Sequence, residues 1–146
     1  MVASLLTGIP GSVRAESLTV HDSTLAPYRI VDGAIPDSLT GVAGDPVKGK
    51  AVAIDRKLGN CLSCHAMPVS EADQGNVGPN LSGSGQLSIG QLRLRIVNAK
   101  SINPSTVMPA YYRVTGLHHV DIPFRNKTML SAQQVEDVVA YLHTLK

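Results

Sequence analysis

The chain has 146 residues, a length that favours one domain over two. Its formal charge of +2 comes from interspersed acids and bases without a block of like charge, so neither nucleic acid nor an anionic membrane surface is indicated as a partner. No apolar run approaches the roughly 18 residues that a membrane span needs. Aromatic residues are scarce, with no Trp, one Phe and four Tyr, so a large buried prosthetic group would help to fill the core.

The N-terminal 44 residues predict a leader followed by an irregular arm. Residues 1–16 contain a weakly apolar stretch and end like a small-residue cleavage site, which we interpret as a shortened export signal, with a flexible tail as the alternative. Residues 17–44 are rich in Gly, Pro, Ser, Thr and Asp. Only residues 28–31 resemble a strand, followed by a turn at Asp32-Gly33, so we expect an arm that lies outside the core.

A first helix is predicted over residues 45–58. It begins with Asp-Pro, in which the Asp can accept hydrogen bonds from free backbone N–H groups and the Pro supplies a preset dihedral angle. Gly49 would let another helix cross closely. The apolar residues at helical spacing, which predict the buried face of this helix, are Val47, Ala51 and Ile54.

Two further helices are predicted after Ser88 and Ser131, where each Ser is followed three residues later by a Gln that can complete a capping box. The middle helix has an apolar stripe of Ile89, Leu92, Ile96 and Ala99, and the terminal helix, which extends through Leu145, has one of Val135, Val138, Val139 and Leu142. Between the helices, residues 67–85 and 103–128 are punctuated by Gly and Pro and predict loops. The sequence predicts an all-α domain over residues 45–146, with no large sheet.

Residues 61–65 read Cys-Leu-Ser-Cys-His and carry the strongest chemical signal in the chain. Two thiols on one turn can add to the two vinyl groups of haem, and the adjacent imidazole then faces the iron from the same side. The motif predicts one haem c per chain, attached covalently to Cys61 and Cys64, with His65 as the proximal ligand of the iron.

Two other chemistries use similar cysteine pairs. A thioredoxin-like dithiol should follow a buried strand, and the residues before the motif do not resemble one. A structural zinc site needs four protein ligands, and no second Cys pair is present, so His118 and His119 would have to substitute. Both are less well supported than haem attachment.

Met108 is the predicted sixth ligand of the iron, because it lies in a Met-Pro loop far along the chain and a thioether favours ferrous iron. The alternative is a simple loop hydrophobe. Met67 is too close to His65 and would lie on the wrong face. Met129 is expected in the core, while either His118 or His119 could supply a nitrogen instead.

Several residues are candidates for the surroundings of the haem. The carbonyl of Pro79 could accept a hydrogen bond from the second nitrogen of His65, although Gly-Pro is equally typical of an ordinary turn. Tyr111 and Tyr112 could flank the haem or bind a propionate, with plain packing as the alternative. The arginines that could neutralise a propionate, but that we expect as solvated surface charges, are Arg93, Arg95 and Arg113.

The order of helix, Cys-Leu-Ser-Cys-His, Gly-Pro loop, middle helix, Met-Pro loop and terminal helix resembles the class I cytochrome c fold. More specific motifs resemble SoxX, the small cytochrome subunit of the SoxAX complex of bacterial thiosulfate oxidation. These are Ile-Pro-Asp-Ser-Leu-Thr-Gly, Gly-Asn-Val-Gly-Pro, Asn-Pro-Ser-Thr-Val-Met-Pro and the terminal helix, in residues 35–41, 75–79, 103–109 and 130–142.

The resemblance implies that Cys61 and Cys64 attach the haem, that His65 and Met108 ligate its iron, and that Gly49 and Tyr141 lie where the terminal helices cross. It also implies a periplasmic heterodimer with a SoxA-like cytochrome subunit, which bears the active site and joins thiosulfate oxidatively to a cysteine of the carrier protein SoxY. This chain would accept the electrons and pass them to a downstream cytochrome. The alternatives are a freestanding electron carrier and a haem sensor with an open sixth site.

Overall fold

The computed structural model of the protein describes residues 18–20 and 25–146. The interpretation of residues 1–16 as a leader therefore lies outside the described residues. The described part is mostly helical, as the sequence predicts, and its one sheet is a two-stranded antiparallel ribbon in the arm. The strands and helices, in chain order, are β1 (Leu18–Val20), β2 (Tyr28–Ile30), α1 (Pro46–Ile54), α2 (Ile89–Asn98) and α3 (Ala132–Thr144).

Helix α1 begins as predicted but ends four residues early. The Asp45 carboxylate accepts hydrogen bonds from the backbone of the first turn, and Pro46 follows it. At the other end, Asp55 is extended, and its carboxylate accepts a hydrogen bond from the Lys57 N–H at 2.7 Å. This side-chain turn competes with continued helix, which is typical of Asp.

The predicted apolar face of α1 is wrong at Val47 and Ala51, which are exposed, while Ile54 packs partly buried against the core. Val47 is 79% exposed, whereas Gly49, Val52 and Ala53 are buried. The reason is the packing of α1 against α3, since a Cβ added at Gly49 would clash with the Asp137 carbonyl. The expectation that Gly49 permits a close helix crossing is therefore confirmed, and the contact point at this glycine determines which side of α1 faces the core.

Helices α2 and α3 both have the predicted capping boxes, at Ser88 and Ser131. The four apolar positions predicted for α3 are all buried. On α2 the prediction holds for three of its four positions, and Ile89 at the helix start is exposed. Among residues 18–20 and 25–146, no helix is both long and apolar enough to cross a membrane.

Residues 25–44 pack on the helices rather than lying outside the core. Ile35 has no exposed surface, and its N–H donates to the Gly90 carbonyl of α2 at 2.9 Å. Leu39 is also buried. The expectation that this segment contributes nothing to the core is therefore wrong, because Ile35 and Leu39 fill space that the short helices leave open.

Arg93 contradicts the expectation of a solvated surface charge. It lies on the buried side of α2, where its guanidinium pairs with the Glu136 carboxylate of α3 and donates to the carbonyls of Ile35 and Pro36. An arginine is retained in a protein interior only when its donors are satisfied, and here backbone and carboxylate oxygens satisfy them.

Candidate functional site

The two cysteines lie on a tight turn that follows α1. Asn60 adopts a left-handed conformation with φ of 49°, and the chain then forms a single 3₁₀ turn over Cys61–Ser63. The His65 N–H donates to the Cys61 carbonyl at 2.9 Å, so the turn continues to the imidazole. The two cysteines form no disulfide; Cys61 is buried and Cys64 is half-buried. This geometry brings Cys61, Cys64 and His65 to one cavity.

The His65 imidazole has the orienting contact that was predicted for it. Its Nδ1 lies 2.7 Å from the Pro79 carbonyl oxygen. A carbonyl can only accept, so Nδ1 carries the proton and Nε2 keeps a free lone pair for a metal. The loop approaches the ring closely, since a Cβ at Gly78 would clash with the imidazole. The sequence indicated Gly78 only as part of a Gly-Pro turn. Its position immediately before Pro79 was the signal that could have indicated its close approach to His65.

The cavity has a volume of about 790 Å³, within the range of roughly 300–1,000 Å³ typical of cofactor pockets. Its lining is mainly apolar and includes both cysteines, His65 and Met108. Two thiols, an imidazole nitrogen and a thioether are the groups that attach and ligate haem c. The residues present therefore fit that cofactor.

Met108 reaches the cavity from the loop between α2 and α3. Its N–H donates to the Thr106 hydroxyl at 3.2 Å, and the Lys100 ammonium donates to the Thr106 carbonyl, which fastens this loop to the end of α2. Met129 packs against the core, as expected, but it also lines the cavity. The cavity thus presents two thioethers.

The remaining alternatives to Met108 lie elsewhere. Met67 is buried in the hydrophobic core, and among the described residues that line the cavity neither Met67, His118 nor His119 occurs. Within the described part of the chain, no group of three or more His, Cys, Asp or Glu side chains is placed to hold a metal ion. A zinc site built from the two cysteines and these histidines is therefore not supported.

The two tyrosines of the second loop have different surroundings. Tyr111 lines the cavity, and its hydroxyl donates to the Gly59 carbonyl at 2.7 Å. The Tyr112 hydroxyl points to the arm instead, where it accepts a hydrogen bond from the Ala26 N–H at 3.0 Å. Of the three arginines considered from the sequence, Arg95 lines the cavity, and its guanidinium donates to the Gln91 carbonyl.

Burial governs the acidity of the groups beside the attachment turn. It raises the pKa of the Cys61 thiol to about 11, although the neighbouring Tyr111 hydroxyl acts in the opposite direction. Burial also raises the pKa of Tyr111, and negative charge on Cys61 would raise it further. The free Cys61 thiol is therefore protonated at neutral pH, and a thioether at this position would not titrate at all.

Comparison with known proteins agrees with this geometry. The sequence profile of the cytochrome c family matches residues 46–146. The crystal structure of SoxXA from P. pantotrophus matches with 38% sequence identity and a TM-score of 0.75, and the match covers 82% of this chain and 94% of that chain. No curated protein sequence matches significantly. The matched region begins at the first residue of α1 and includes every predicted haem-site residue.

Proposed function

Because the chain belongs to the cytochrome c family, we propose that it is the mono-haem electron-accepting subunit of a SoxXA-like L-cysteine S-thiosulfotransferase. The observation that carries this proposal is the convergence of Cys61, Cys64, His65 and Met108 on one cavity. Similarity to the SoxXA structure over 94% of that chain supports the more specific assignment to a sulfur-oxidising complex.

Within this proposal, the residues of the chain have distinct roles. Cys61 and Cys64 hold the haem through thioether bonds, and His65, with its Nδ1 proton fixed by Pro79, presents Nε2 to the iron. Met108 would supply a thioether to the iron, which would raise the reduction potential. When bound, the haem supplies a site that accepts and donates single electrons. The mainly apolar lining of the cavity would favour the less charged ferrous state.

The proposed reaction takes place on the partner subunit. There, the sulfane sulfur of thiosulfate forms a bond to the thiol sulfur of a carrier-protein cysteine, which releases one proton and two electrons. This chain accepts those electrons one at a time and transfers them to a downstream cytochrome. Both of its thiols are committed to the haem, so we assign it no catalytic nucleophile. The partners we propose are a SoxA-like subunit, a SoxY-type carrier and that cytochrome, all in the periplasm.

A freestanding electron carrier is the second candidate. One observation favours it: part of the N-terminal segment packs on its own domain, through the buried Ile35 and the hydrogen bond from the Ala26 N–H to the Tyr112 hydroxyl. Under this alternative the haem site is the same, but the chain forms no stable complex with a SoxA-like subunit.

Co-expression separates the two candidates. The chain and a SoxA-like cytochrome are produced together in a bacterium that matures c-type cytochromes, with an affinity tag on the partner only. We expect the two chains to elute together in a 1:1 ratio. Thiosulfate is then added with a reduced SoxY-type carrier, and the absorbance of the ferrous haem of this chain should rise.

The controls identify which part of the proposal fails. A carrier whose reactive cysteine is replaced by serine should give no haem reduction. A chain that binds haem yet elutes as a monomer would support the freestanding carrier. A chain without covalent haem would contradict both candidates.

A further inference from the structure

Tyr111 connects the Met108 loop to two other parts of the domain through its backbone. Its N–H donates to the Ile96 carbonyl of α2 at 3.2 Å. Its carbonyl accepts from the N–H groups of Met129 and Leu130, at 3.0 and 3.1 Å, just before α3. Tyr111 follows Met108 by only three residues, so these bonds define where the loop that carries the thioether can lie.

The side chain of Tyr111 extends this connection to the attachment turn. Its hydroxyl donates to the Gly59 carbonyl, two residues before Cys61. Gly59 itself is fixed, because its N–H donates to the Val52 carbonyl at 3.0 Å and a Cβ at this position would lie only 2.7 Å from the same oxygen. The hydroxyl thus bonds to a rigid acceptor, and the bond is buried from water.

A hydroxyl has one proton to donate. In Tyr111 that proton is used by the Gly59 carbonyl, so it is not available for a haem propionate. The side chain also lines the cavity between the segments that carry Cys61 and Met108. Its hydroxyl bond to Gly59 therefore joins these two segments.

We propose that Tyr111 is a positioning residue, whose hydroxyl bond to Gly59 holds the Met108 loop at the distance from the attachment turn that iron ligation by Met108 requires. This inference rests on the proposed haem site but is independent of the partner subunit. Without the bond, the loop keeps its backbone anchors to Ile96 and Leu130 but loses its connection to the turn. The thioether should then leave the iron more often.

Tyr112 provides a matched control. It is the adjacent residue, it is 5% exposed where Tyr111 is 6% exposed, and its hydroxyl also makes one hydrogen bond to the backbone. That bond goes to Ala26 in the arm rather than to the attachment turn. Tyr111→Phe and Tyr112→Phe therefore each remove one hydroxyl that is hydrogen-bonded to the backbone, and only the first affects the connection between the Met108 loop and the attachment turn.

The test compares the holoproteins of wild type, Y111F and Y112F. The readouts are the sulfur-to-iron charge-transfer absorption of the ferric form, carbon monoxide binding by the ferrous form, and the reduction potential. In Y111F we expect carbon monoxide binding to increase by about three- to tenfold, the factor that corresponds to one lost hydrogen bond. The charge-transfer band should weaken and the potential should fall. Y112F should match wild type in all three.

A second pair of variants tests whether Tyr111 acts through Met108. If it does, Y111F should have no further effect on the potential when Met108 is already replaced by Leu. Equal effects in both backgrounds would overturn the inference, as would a Y111F holoprotein identical to Y112F or one that does not fold. M108L with unchanged ligation would also overturn the inference, because Met108 would then not be the ligand that Tyr111 positions. Wild type without covalent haem would instead refute the proposed haem site itself.

Discussion

Arg93 of α2 and Glu136 of α3 form an ion pair in the interior of the protein, with both side chains 4% exposed. Two parallel hydrogen bonds join them, from Nε to Oε1 at 2.8 Å and from Nη2 to Oε2 at 2.9 Å. The same groups bind the N-terminal segment, since Arg93 donates to the Ile35 carbonyl and Glu136 accepts from the Leu39 N–H. The pair therefore joins α2, α3 and residues 35–39 at one point.

Replacement of Glu136 by Gln should destabilise the protein strongly. The Arg93 charge would remain buried without its counter-ion, which typically lowers the free energy of unfolding by about 3–5 kcal/mol. Urea unfolding of the holoprotein, followed by far-UV circular dichroism, measures this change. The control is Asp37→Asn, which breaks a surface ion pair with Arg29. In that pair the Arg29 side chain is 55% exposed and the Asp37 side chain is 69% exposed. The control should cost less than about 1 kcal/mol, and equal losses would contradict the assigned role of the buried pair.

Gly78→Ala should disturb His65 without unfolding the helices. The added methyl group would overlap the imidazole, so either the ring or the loop at residues 78–79 must move, and the hydrogen bond to Pro79 is lost. We expect a lower yield of haem-loaded protein and an altered spectrum. Ser82→Ala is the control, because Ser82 belongs to the same loop and is not among the described residues that line the cavity. A normal spectrum in Gly78→Ala would show that the ring has more room than the structure indicates.

Cys61→Ala should leave the haem attached by one thioether. Cys64 remains on the same turn and can still add to one vinyl group. The absorption maximum of the reduced protein in alkaline pyridine reports the number of thioether bonds, and we expect it to move from the two-bond to the one-bond position. An unchanged maximum would mean that Cys61 does not bind the haem.

Met108→Leu and Met129→Leu decide which thioether ligates the iron. Both side chains line the cavity, and Leu has a similar volume without the sulfur. In Met108→Leu we expect the haem to remain attached, the potential to fall and the ferrous protein to bind carbon monoxide. Met129→Leu should retain the ligation of wild type. The reverse result would assign the ligand to Met129, and no change in either variant would direct attention to His118 or His119.

Local signals predicted the helix starts correctly. Asp45, Ser88 and Ser131 each cap a helix where expected, because a cap depends on atoms within three residues of one another. The face of α1 was predicted incorrectly, since Val47 points to solvent. That error arose because the periodicity of a short helix does not reveal that a glycine forms its contact with α3.

The predictions for the cavity were likewise correct where they depended on neighbouring residues and incomplete where they depended on packing. The Cys-Leu-Ser-Cys-His motif predicted two attachment sites and an imidazole on one turn, and these three residues do line one cavity. The sequence did not predict that Met129 would share that cavity, or that the Tyr111 hydroxyl would bond to Gly59. Those contacts join segments far apart in the chain, so they depend on how α2 and α3 pack.

By itself, the sequence determined where the three helices begin, through their N-caps, and the spacing of two thiols and an imidazole within residues 61–65. These depend on short-range covalent geometry and hydrogen bonding. Only the tertiary structure decided that Arg93 is buried with Glu136, that Ile35 and Leu39 of the N-terminal segment belong to the core, that Gly49 contacts α3, and which loop residues reach the cavity. The physical reason is that burial and pairing depend on partners that are distant in the sequence, and their positions exist only once the chain has folded.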